Sequence, residues 1–291
     1  MSSLIPPRSL RVAATRDAVS ELVDSETAFL PSPEYLLRLS DVPEYVESRN
    51  AAIAWILNAV AHHGFGPVTA ALAVNYLDRF LDARSLPGRG WPFQLLAVAC
   101  LALAAKMEEL RVPLLADLQV LEPEFVFDPS SIQRMELCVL SGLDWKMRSI
   151  TPFDYLSFFV SKLNPPSTFD TTSLCCNEVF DAAYILLLRT SAEIALLAFP
   201  PSVVAAGAVL CAGNKSAAND VVRLHERLDA GAVRTCMELF EKYHSDTNES
   251  DVIDPTSPPP NPTPAVLDAH SSSVGEDEPV VKKRRVSNPE S

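Results

Sequence analysis

The chain has 291 residues, 48% of them apolar, only 9 glycines and a formal net charge of −13. Such a length can build one large or two modest cores, and a glycine-poor composition favours helices over a turn-rich β architecture. The acidity argues against a general nucleic-acid binder, because neutralising phosphates requires clustered Lys and Arg.

In chain order, residues 1–40 are expected to form a disordered polar arm, with prolines at 6, 7, 31 and 33. Residues 1–10 carry no apolar core before a small-residue cleavage site, so no secretory leader is expected. Proline fits the first turn of a helix and ends the one before it. The prolines and glycines beyond the arm therefore predict helices near 44–63, 67–83, 92–108, 113–120 and 130–142. A second set is predicted near 152–162, 172–190, 201–213, 218–228 and 230–243. This is an all-α pattern of two five-helix blocks, 41–148 and 149–245.

The longest apolar run, Leu95 to Ala105, is too short for a bilayer span of about 20 residues. It ends at Lys106, Glu108 and Glu109, which makes it a core helix and gives no membrane partner. Six cysteines show neither a CxxC pair nor a His at ligand spacing, so they read as reduced apolar residues, with no metal or cofactor. Residues 246–291 form a disordered tail. From 245 to 280 it holds eight acids, seven prolines and no Lys or Arg. The basic cluster Lys282-Lys283-Arg284-Arg285 follows, which is either a nuclear localisation signal or a solvated charge run.

No nucleotide-binding loop, nucleophile elbow, zinc-protease helix or kinase catalytic loop is present, and no catalytic residue is assigned. Charged residues do interrupt apolar helices: Asp78 and Arg79, Lys106, and Glu136 between Met135 and Leu137. Four such charges in one region indicate pairing or a partner-facing role, because an unpaired buried charge is costly. The chemistry to expect is recognition.

The segments Arg49-Asn-Ala-Ala-Ile-Ala-Trp55 and Asn75-Tyr-Leu-Asp78-Arg-Phe-Leu81, with Gln94-Leu95 through Lys106-Met-Glu-Glu109 and Arg134-Met-Glu136-Leu-Cys-Val-Leu140, resemble a cyclin box. The wording between them, such as Leu143-Asp-Trp-Lys-Met-Arg148, is similar to plant D-type cyclins. The resemblance implies two tandem cyclin folds that bind and activate a PSTAIRE-type cyclin-dependent kinase at the G1/S transition. It implies a structural ion pair of Arg49 with Asp78, and a kinase-binding set of Lys106, Glu136 and Leu95, the leucine packing the central helix. Trp55 and Gln94 match a patch that docks RxL-type substrates and kinase inhibitors, made shallow here by Ala51 and Ala52.

D-type cyclins usually carry LxCxE near the N-terminus, and residues 1–40 lack it. The one match, Leu174 to Glu178, starts a predicted helix, so binding to a retinoblastoma-type pocket protein is not expected. Ser32, Ser257 and Thr263 precede prolines and are candidate phosphosites in a protein of nucleus and cytoplasm. The alternative reading is a cyclin-fold transcription factor of the TFIIB type. Against it, residues 41–245 hold 16 basic and 23 acidic residues, a net charge of −7.

Overall fold

The computed structural model describes residues 16–86, 90–119, 125–163, 172–213, 221, 224–250 and 281–282. Two helical bundles follow one another along the chain. The first is organised around α5 (Trp91–Glu108), against which α3 (Pro43–His63), α4 (Pro67–Ala83) and α6 (Pro129–Gly142) pack. Thirteen of the 18 residues of α5 are buried. A helix apolar on every side must be surrounded, and α5 has no polar face to offer water. Proline occupies the first turn of α3, α4, α5 and α6. Gly64 closes α3 at φ +66°, a left-handed position that costs glycine nothing.

The second bundle repeats the plan around α9 (Pro201–Ala212), with α7 (Phe153–Leu163), α8 (Thr172–Arg189) and α10 (Ala230–Ser250) about it. Small residues let α10 approach α9 closely. A Cβ at Gly207 would stand 3.0 Å from the Cβ of Cys236 and 3.3 Å from the ring of Phe240. The stretch 174–178 is helical backbone within α8, as its periodicity predicts.

Two expectations are corrected. Residues 16–41 are not a disordered arm: α1 (Arg16–Ser25), a 3-10 turn at Glu26–Phe29 and α2 (Pro33–Asp41) are folded onto the bundles. Val19 enters the second core, whereas Tyr35 and Leu39 enter the first. Net polarity concealed these few anchors. The helix expected at 113–120 reduces to a 3-10 turn at Asp117–Gln119. Leu114 is 74% exposed, so that stretch buries no continuous apolar face, and the Gln119 amide instead brackets the Phe127 backbone at 2.8 and 2.9 Å. Of the helix expected at 218–228, residues 218–220, 222 and 223 lie outside the described residues, Val221 and Leu224 are helical, and 226–228 are turn and bend rather than helix.

The buried joint of the first bundle is Arg49 with Asp78. The guanidinium donates to both carboxylate oxygens at 2.6 and 2.9 Å, and the Tyr35 hydroxyl donates to Asp78 Oδ1 at 2.7 Å. Arg49 also donates to the Ala192 carbonyl, 2.8 Å away in the second bundle. Burial works against the Arg49 charge, but the charge and hydrogen bonds of Asp78 outweigh it and the guanidinium pKa ends raised. Burial first, then Asp78, raises the Tyr35 hydroxyl and keeps it a donor.

A second buried carboxylate joins the N-terminal segment to the second bundle. Glu26 accepts from the Ser202 backbone N–H and the Tyr155 hydroxyl, each at 2.8 Å, and from Ser202 Oγ at 2.5 Å. Ser202 lies in the first turn of α9, where the free N–H groups and the helix dipole favour a negative charge. Burial raises the Glu26 pKa, and the Ser202 and Tyr155 bonds only partly oppose it.

Asp78→Ala should lower the unfolding free energy by about 3–5 kcal/mol, the cost of stranding a buried charge. Tyr35→Phe should lower it by about 1.5–3 kcal/mol, as for a hydrogen bond to a charged group; denaturant melts of the free protein measure both. Glu26 also makes stability depend on pH. Its carboxyl titrates near 4.5 in the unfolded chain and higher in the fold, so between those values the folded chain holds the extra proton. The contribution of Glu26 is therefore greatest below about pH 4.5 and declines as pH rises through the folded value. Melts of Glu26→Gln across that range should lack this decline.

Candidate functional site

Lys106 ends α5 and Glu136 lies midway along α6, and the packing of those helices brings Lys106 Nζ to 2.5 Å from Glu136 Oε1. The lysine side chain is 46% exposed and the glutamate only 8%. Lys106 also sits where a cation complements the dipole of α5. In the chain, exposed apolar residues adjoin the pair: Met107, Leu110, Val112 and Leu114 follow Lys106, and Leu137 follows Glu136. A partly exposed ion pair with uncovered aliphatic residues beside it in the chain is a candidate recognition surface. Leu95, grouped with it by resemblance, is instead buried in the first core.

The segment after α5 has its own anchor. Glu109 Oε1 accepts from the Gly66 N–H at 2.8 Å and from the Thr69 hydroxyl at 2.5 Å, fixing the end of α5 to the start of α4. Sequence reasoning missed this role, since nothing local links residues 66 and 109. Of the other two interrupting charges, Asp78 is the partner of Arg49. Arg79 donates to the Lys146 carbonyl at 2.9 Å and to Ser149 Oγ at 2.7 Å. That bond steadies a tight turn in which Asp144 and Trp145 both have positive φ, and Trp145 projects into solvent.

Ala51 and Ala52 of α3 and Gln94 of α5 do converge, on a cleft of about 250 Å³ that Glu47, Phe93 and Phe125 complete. Trp55 lies one turn further along α3 and is almost fully buried. Trp55 Nε1 and Gln94 Nε2 are both inaccessible and find no hydrogen-bond partner among the described residues. Glu47 could have been found from its i−4 relation to Ala51 on the same helix face. Phe125 could not, because it arrives from beyond α5.

Ser32 is placed as a cap rather than a free hydroxyl. Its side chain accepts from the Tyr35 N–H at 3.2 Å and donates to Asp82 Oδ1 at 2.5 Å, while its own N–H donates to Asp82 Oδ2 at 2.9 Å. Ser257, Thr263 and Lys283 to Arg285 lie outside the described residues. Lys282 is described as backbone only, in β2 (Val281–Lys282).

A cyclin N-terminal domain model matches residues 17–148, and a cyclin C-terminal domain model matches 150–255. The chain is 45% identical to Cyclin-D1-1 of Arabidopsis thaliana over 212 residues, covering 72% of this chain and 61% of that protein. It is 38% identical to Arabidopsis Cyclin-D4-1, covering 88% and 82%, and 39% identical to Cyclin-D4-2 of Oryza sativa subsp. japonica, covering 90% and 68%. Among solved structures it superposes on a viral cyclin from herpesvirus saimiri with a TM-score of 0.62 at 16% identity, over 78% of this chain and 96% of the other. It also superposes on a chain of the CAK complex from Chaetomium thermophilum, with a TM-score of 0.54 at 18% identity, over 80% and 73%. At those identities the two structures speak for the fold alone.

Asp82→Ala should destabilise the free protein by about 1–2 kcal/mol, because it frees both the Ser32 cap and the entry of α2. Ser32→Ala should do the same to a smaller extent, and the double variant should fall short of the sum, measurable in a double-mutant cycle.

Proposed function

From the premise that this chain belongs to the cyclin family and has plant D-type cyclins among its relatives, we propose that it is the regulatory subunit of a cyclin-dependent kinase. In this reading it promotes the G1/S transition, and its kinase is of the PSTAIRE type. The observation that carries the reading is the Lys106–Glu136 pair, with exposed Met107, Leu110, Leu114 and Leu137 near it in the chain. These apolar residues supply area to bury against a partner helix. The pair can exchange partners when a kinase carboxylate arrives, because the Lys106 ammonium is half exposed and free to turn, although Glu136 is buried.

The mechanism is a population shift. A monomeric kinase mostly holds its regulatory helix displaced, with the Lys–Glu ion pair over ATP unformed. A rigid surface that binds only the inward helix moves that equilibrium by its differential affinity for the two states. The chain itself then performs no bond chemistry. Its rigidity comes from α5, which is packed on every side, and from the Glu109 anchor at the end of α5.

The shallow cleft at Ala51, Ala52 and Gln94 is the proposed dock for RxL-type substrates and inhibitors. Helical backbone at 174–178 supports the absence of pocket-protein binding, since a helix cannot offer alternate residues as a strand does. Residence in nucleus and cytoplasm, and phosphorylation at Ser257, Thr263 and Ser32, complete the proposal.

Purified chain mixed with a PSTAIRE-type kinase should form a complex and raise phosphorylation of a peptide substrate. Lys106→Ala and Glu136→Ala should each weaken that complex by about 30-fold, as expected when a buried charge loses its partner. Full affinity in both variants, with unchanged melting curves, would remove this surface from the kinase interface.

A further inference from the structure

Among the described residues, a two-strand pairing formed across the length of the chain lies against the first bundle, whose core takes in Phe127. β1 (Val126–Phe127) pairs antiparallel with β2 (Val281–Lys282), in the register Val126 opposite Lys282 and Phe127 opposite Val281. β1 is held in place by the Gln119 amide, which occupies the N–H and C=O of Phe127. The direction of β2 is therefore set. It runs from the Phe127 end of β1 toward the Val126 end, which Phe125 immediately precedes.

Phe125 forms one wall of the cleft that also comprises Glu47, Ser48, Ala51, Ala52, Phe93 and Gln94. In the sequence, Lys283-Arg284-Arg285-Val286 follows directly on β2. The chemistry of that segment suits the cleft. Glu47 is exposed at the lip and complements a run of three cations. The floor of Ala51, Ala52 and Phe93 leaves room for an aliphatic side chain the size of Val286. Gln94 Nε2, a buried donor without a partner among the described residues, can reach a carbonyl of an extended backbone. Pairing to a strand edge with side-chain pockets beside it is a general way of recognising an extended peptide. Thirty residues separate Ser250, at the end of α10, from Val281, and an extended chain of that length spans up to about 100 Å.

We propose that the cleft between α3 and α5 is occupied by residues 283–286 of this same chain. The tail is an internal ligand, and an external basic peptide must displace it before docking. While seated, the cluster 282–285 is covered, so docking of an outside peptide and exposure of that cluster occur together. This deepens the docking-patch reading above, and its test needs no kinase, so its failure leaves kinase activation untouched.

The probe is a fluorescent peptide of residues 278–291, titrated against two full-length proteins: the unaltered chain and Lys283→Glu/Arg284→Glu/Arg285→Glu. A tethered ligand at millimolar effective concentration and with a dissociation constant near 100 μM would weaken an external copy about tenfold. The charge-reversed chain should therefore bind the peptide about tenfold more tightly than the unaltered chain, and Glu47→Gln added to it should abolish most of that binding. Equal affinity in the two chains, or no binding to the charge-reversed chain, would overturn the proposal. A gain that persists undiminished with Glu47→Gln would also overturn it, by placing the segment elsewhere.

Discussion

A guanidinium with no exposed surface is the constraint around which this molecule is arranged. Removing an arginine and an aspartate from water costs several kcal/mol per ion, and their mutual attraction offsets this only when the remaining hydrogen-bonding capacity is met. Arg49 and Asp78 meet that condition by recruiting groups from four directions. α3 supplies the cation, α4 the carboxylate, α2 the Tyr35 hydroxyl, and the second bundle the Ala192 carbonyl. Each of these elements is thereby held in one place. The pair adds less to net stability than to the choice of a single arrangement, since displacing any one element leaves a charge unmet.

The Lys106–Glu136 pair is its counterpart in a different dielectric. Its lysine is half in water, so separating it from Glu136 costs far less than separating Arg49 from Asp78. The residue types suit the two places. A planar guanidinium can engage both oxygens of a carboxylate and two further acceptors, whereas an ammonium on a flexible stem can turn toward a newcomer. Frame and contact surface are thus built from the same kind of interaction, separated by burial.

Much of this was legible in the sequence. Proline at the first turn marked α3, α4, α6 and α9 to within a residue or two, and the unbroken apolar run of Leu95 to Ala105 identified the helix that others must surround. Charges inside apolar helices pointed to Asp78, Lys106 and Glu136. Other features depend on pairings between distant residues, which periodicity does not register. Val19, Tyr35 and Leu39 bury themselves singly within a polar stretch, so no run of apolar residues announces α1 and α2. Leu114 and Leu115 suggest a helix face, yet Leu114 faces solvent and the stretch is held instead by the Gln119 side chain. Leu95 is conspicuous for the company it keeps in the sequence, but its place is in the core.

The buried Glu26 carboxylate has a consequence for how the chain is made. Its partners on α9 are 176 residues further along. A ribosome adding about 5–20 residues per second reaches Ser202 on the order of 10–35 s after Glu26 has been polymerised. Throughout that interval α1, whose Val19 belongs to the second core, has no surface to settle on, although the first bundle can already close around α5. α1 and the turn at Glu26 are thus made well before the second-bundle surface they settle on, and a newborn chain is open to chaperones and proteases there until that surface is translated.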